Sequence, residues 1–138
     1  MISDKIAYII LAISLSLFLS CKSNSVLTME RGIYFYEHND FHEAATQFNK
    51  VVLSYSSDIN SLSSKDIEIL AQAYYKLGLT QSKLAHDSED FNDKKMHYSN
   101  SLKNIAESEK LVIKPSKLKE YRNTRLLIYK KAQPYLNY

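Results

Sequence analysis

A chain of 138 residues, 45% hydrophobic and 24% charged, has room for one domain and a targeting segment. Two glycines and two prolines are too few for the turns of a β-sandwich or a dinucleotide-binding α/β fold, so long helices are expected. A single cysteine excludes an intramolecular disulfide framework and any multi-cysteine metal site. The formal charge of +3 hides an asymmetry: 6 Lys/Arg stand against 11 Asp/Glu from Lys22 to Asp93, then 11 against 3 from Lys94 to Tyr138. Such a division either steers a partner or an anionic lipid surface, or is an ordinary solvated helical face.

The chain opens MISDKIAYIILAISLSLFLSC, with Lys5 as a basic start and an apolar run from Ile6 to Leu19 broken only by Ser14 and Ser16. That run is about 14 residues, short of the roughly 20 that a membrane-crossing helix needs, and it suits the apolar region of a secretion signal. Small Ser20 precedes Cys21, and polar Lys22, Ser23 and Asn24 follow. The stretch resembles a lipobox, the site read by lipoprotein signal peptidase, although Phe18 stands where the family usually has Leu. The resemblance implies that Cys21 is the first mature residue and carries the lipid. Residues 1–21 are then the signal peptide and 22–138 the folded domain.

Val26 to His38 is helical in pattern, with Val26, Met29, Ile33 and Tyr36 at three- and four-residue steps. Asn39-Asp40 interrupts, and Asp40 with Glu43 reads as a capping box opening a second helix through Phe41, Ala44, Ala45, Phe48, Val51 and Val52. Helices joined this closely lie antiparallel. Tyr55–Ser64 is loop in composition. Ser63 then caps a third helix from about Lys65 to His86, carried by Ile67, Leu70, Ala71, Tyr74, Leu77 and Leu84, with Gly78 its weak point. An acidic break over Asp87–Asp93 precedes a fourth helix from about Lys94 to Val112, which Pro115 ends. Ser116 is placed to cap a last helix through Leu118, Tyr121, Leu126, Leu127, Tyr129 and Ala132, closed by Pro134.

Helix–turn–helix followed by a second helix pair calls for a comparison with helical repeats. A repeat begun at Ser25 puts Gly32 and Ala44 where two helices cross and only small side chains fit, with Phe35, Phe48 and Val51 at the aromatic and packing positions. A second repeat begun at Ser64 places Ala71, Tyr74 and Gly78 similarly, in the phrase AQAYYKLG. Lys83 then falls where a small residue is due, and the next helix is delayed by about ten residues. Either the second repeat carries a long insertion or its second helix pair is atypical.

These residues resemble the tetratricopeptide repeat (TPR), over roughly residues 25–113. The resemblance implies an all-α fold: antiparallel helix pairs stacked as a short TPR-like α-solenoid of about five helices, with a C-terminal capping helix. It also implies a concave groove lined by Ile33, Tyr36 and Glu37 from the first repeat and by Gln72, Tyr75 and Lys76 from the second. A lipidated TPR chain is similar to the BamD-type lipoproteins of the outer-membrane β-barrel assembly machinery, from which it departs in having two repeats where that family usually has about five. That likeness implies a lipid-anchored place on the outer membrane facing the periplasm, and a protein or peptide partner. An unrelated TPR lipoprotein binding another ligand is the alternative.

Chemistry has little to stand on. His38 and His42 have metal-binding spacing only if one helix carries both, and Asn39-Asp40 breaks that helix. No Ser/His/Asp order, phosphate loop or carboxylate pair stands out, and the basic tail lacks a nucleic-acid module. No catalytic residue, metal or cofactor is expected.

Overall fold

The computed structural model describes residues 24–137; Cys21 and the signal lie outside them. Among these residues five α-helices follow one another: α1 (Asn24–Glu37), α2 (Phe41–Tyr55), α3 (Ser64–Asp87), α4 (Phe91–Leu111) and α5 (Pro115–Leu136), with one 3₁₀ turn, Ile59–Ser61, before α3. No strand occurs among the described residues. Each helix packs on the next in sequence, and α1 also touches α3, so the chain forms a short solenoid-like stack. In this stack α1, α3 and α5 form one side and α2 and α4 the other.

The turns explain the boundaries. Asn39 adopts a left-handed conformation (φ 61°), which asparagine tolerates better than most side chains. With it in place, the Asn39 and Asp40 amides donate back to the Tyr36 and Phe35 carbonyls and close α1. Asp40 then accepts from the Glu43 amide and starts α2. The return half of the expected capping box is missing, because the Glu43 carboxylate takes the Gln47 amide instead. Ser63 and Asp90 cap α3 and α4 in the same way, through the Asp66 and Asp93 amides. The acidic break is therefore shorter than its composition suggests, since α4 begins at Phe91.

Both prolines sit differently from expectation. Pro115 opens α5 as its first residue, where its missing N–H would be unpaired anyway. Ser116 is therefore no cap. Pro134 lies inside the last turns of α5, which runs on to Leu136.

Two apolar cores share α3. The first gathers Met29, Ala44, Phe48, Val51, Val52, Leu70, Ala73 and Leu77, with Phe35 and Tyr74 packed at its margin. The second gathers Tyr75, Ala85, Tyr98, Ile105, Tyr121, Ile128 and Ala132. A helix that buries residues toward two cores must be apolar on two sides, as α3 is.

Small residues set the helix spacing in both pairs. A Cβ on Gly32 would lie 2.6 Å from the Phe48 ring, and one on Gly78 would collide with the Ile105 side chain and stand 3.0 Å from the Ser101 carbonyl. The Ser101 hydroxyl reaches across to donate to the Gly78 carbonyl at 2.7 Å. Gly32, Ala44 and Phe48 thus correspond to Gly78, Ser101 and Ile105. Ala71 is buried, but the close approach falls two turns later, at Gly78. The delayed second helix has a simple origin: beyond the glycine, α3 runs about one turn further than α1 does. Before its small residue, α4 is longer than α2 by about two turns. Whole turns keep each packing face where it was.

Gly78→Ala should destabilise the domain by about 1–3 kcal/mol, since overpacking outweighs the gain in helix propensity. Shortening the opposing side chain, as Gly78→Ala with Ile105→Val, should cost less than the two single losses added. Strict additivity in urea melts would contradict the close approach.

Candidate functional site: a groove on the inner side

Between α3 and α5 lies an open groove of about 460 Å³. α3 contributes Gln72, Tyr75 and Lys76 among others, and α5 with the segment before it contributes Lys114, Lys117, Glu120 and Tyr121. Both helices can line one groove because α4 carries the chain back, so α5 returns beside α3.

Its floor is aromatic. The Tyr75 and Tyr121 rings stack 3.9 Å apart at 19°, both buried, and the Tyr75 hydroxyl hydrogen-bonds Thr124 Oγ1 at 3.0 Å. Its walls are charged and cross-linked: Lys114 pairs with Glu68 and Lys117 with Glu120, each at 2.8 Å. These pairs are well exposed and add little stability, so their charge remains available to a ligand. Behind α5, Glu109 takes both Arg122 and Arg125 and clamps that helix to α4.

Gln72, Tyr75 and Lys76 come together here. Tyr36 joins them through Lys76, whose ammonium stands 5.8 Å from the ring centroid, within cation–π reach. Tyr36 and Tyr75 sit in different surroundings. Tyr36 is half-buried against Phe41, whereas Tyr75 lies beneath Tyr121 and belongs to the second core. Ile33 packs on the first core, and Glu37 is exposed at the end of α1. Lys114, Lys117, Glu120 and Tyr121 are the residues that sequence reasoning missed. The sign was present: if α5 is a third inner helix, a tyrosine on its buried face must meet Tyr75.

His38 donates locally, from Nδ1 to the Tyr34 carbonyl at 2.8 Å, and it stands apart from the site. Among the described residues no cluster of His, Cys, Asp and Glu is arranged to hold a metal ion, and no helix is long and apolar enough to cross a membrane. Comparison of the chain with protein families, curated proteins and solved structures found no match.

Burial, and after it the Glu120 carboxylate, push the Tyr121 phenol up to about 12. A phenol whose folded pKa lies above its unfolded value holds its proton better in the native state. The resulting stability is complete below pH 10 and is lost as the pH rises toward 12. Urea unfolding should therefore show a smaller loss between pH 9 and pH 11 for Tyr121→Phe than for the parent chain. Equal losses would mean that Tyr121 does not carry this dependence.

Proposed function

We propose that this chain is a membrane-anchored TPR-like adaptor that holds a protein or peptide segment on its inner side. The observation that carries the reading is the groove between α3 and α5, where a stacked tyrosine floor is bordered by lysines and glutamates. Rigid aromatic anchors with polar partners around them are what a protein interface relies on, because a few such side chains supply most of its energy. The continuation of that surface across Lys76 to Tyr36 gives it the length of three inner helices. Nothing in the groove resembles a nucleophile with its base, so binding rather than turnover fits its chemistry.

The anchor is the lipid on Cys21. Two or more acyl chains hold a protein stably at a bilayer without any spanning helix. The lipobox resemblance and the TPR-like helix pairs support a position on the outer membrane facing the periplasm, with the β-barrel assembly machinery as the proposed partner.

Two measurements test this. Growth with a clickable fatty acid should label the parent chain, and Cys21→Ala should abolish the label and release the protein from membranes. Persistent labelling of that variant contradicts the anchor. Pull-down from detergent-solubilised envelopes should recover the barrel-assembly protein with the parent chain. Recovery should fall about tenfold or more with Lys76→Glu combined with Lys117→Glu, as expected when opposite-charge rim contacts become repulsive. Lys117 is exposed and Lys76 half-buried with its ammonium at the groove rim, so thermal melts of the variant should keep a cooperative transition close to the parent's. Undiminished recovery by the charge-reversed variant contradicts the inner groove.

A further inference from the structure

The outer side of the stack carries a second groove, of about 400 Å³, between α2 and α4 with α3 beneath. Thr46 and Asn49 face it from α2, Gln81 and Leu77 from α3, and Asn100 and Asn104 from α4. No charged side chain lines it, in a protein where a quarter of the residues are charged.

Asparagine is a poor helix former, because its amide competes for the backbone. Asn100 and Asn104 nonetheless stand in the middle of α4, and neither they nor Asn49 hydrogen-bond through the side chain to any described residue. Folding gains nothing from these carboxamides. Gln81 is held differently: its Oε1 accepts from His97 Nδ1 at 2.6 Å, which fixes the side chain and leaves its amide N–H groups for a ligand.

A carboxamide both donates and accepts, so it complements a group that does the same and bears no charge. The peptide group is such a partner. Spacing matches as well. Asn100 and Asn104 are one turn apart, about 6 Å along the axis. Peptide groups facing one side of an extended chain recur every two residues, about 6.6–6.8 Å. A saccharide offers comparable hydroxyls, but no aromatic ring lines this groove for a sugar to stack on.

We propose that the outer groove between α2 and α4 binds an extended polypeptide through its main chain, with little regard to side-chain identity. This site is separate from the inner groove.

The test uses fluorescence anisotropy with the full chain in detergent. The probe is a dye-labelled, end-capped ten-residue peptide alternating Ser and Val. The parent chain should bind it, and Asn100→Leu combined with Asn104→Leu should weaken binding about tenfold, as expected for two lost hydrogen-bonding groups. Leucine is the better helix former, so the variant should fold at least as well. A peptide N-methylated at every Val should bind the parent chain at least tenfold more weakly, an arm that needs no variant. Lys76→Glu with Lys117→Glu should leave the affinity unchanged. Absence of binding by the parent chain overturns the proposal, as does equal binding of the methylated peptide or by the leucine variant. Displacement of the peptide by an N-acetylglucosamine trimer would make this a sugar site and overturn it too.

Discussion

Where α3 meets α4, Gly78 leaves room that the Ile105 side chain and the Ser101 carbonyl fill, and the Ser101 hydroxyl donates to the Gly78 carbonyl. Ala71, Gly78 and Ala85 recur at seven-residue steps on α3, all buried, and Ser101 and Ser108 do so on α4. A seven-residue step returns nearly to the same side of a helix, so small side chains face one another along much of the pair. The backbones approach closely, and the polar members stay satisfied, Ser101 by Gly78 and Ser108 by its own helix through Ile105. Close approach brings α5 within reach of α3, which α4 would otherwise hold apart. The Tyr75–Tyr121 stack depends on that distance, and so does the inner groove above it.

A tyrosine-rich second core follows from the same geometry. Tyr75, Tyr98, Tyr121 and Tyr135 each bury a ring near an edge of the stack, where a hydroxyl can still find a partner or water. An aliphatic core there would lack that outlet. The cost is that burial makes the Tyr75, Tyr98 and Tyr121 phenols resist ionisation, with Tyr121 pushed up to about 12. The end of the stack is less finished. Leu126, Leu127 and Tyr129 remain exposed on α5, whereas a terminal helix of a repeat array ordinarily turns a polar face outward.

The all-helical class, the number of helices and the first helix pair were legible because local signals agreed with one another. Asp40 and Ser63 cap where their side-chain chemistry says they should, and Gly32, Ala44, Phe48 and Val51 carry the first crossing. The second helix pair was harder to read, since Ala71 and Gly78 are both small, both buried and on the same face. Periodicity cannot tell which of them meets the facing helix, and the lengthening of α3 and α4 by whole turns leaves no break in the pattern. Pro115 was misplaced because a proline after a helix and a proline starting the next look alike in one dimension. Half of the inner groove was hidden for another reason: its α5 wall comes from contacts between residues nearly fifty positions apart, such as Tyr75 with Thr124. Only the repeat logic, carried one helix further, points to them.

The proposed holding of partners on the inner side of the stack is tested most directly by site-specific photo-crosslinking in living cells. A benzophenone amino acid at exposed Gln72 faces the inner groove, and one at exposed Glu89, between α3 and α4, lies outside both grooves. A discrete crosslinked product from position 72, absent or much weaker from position 89, is the result expected. A product from position 89 with none from position 72 would contradict an inner binding surface.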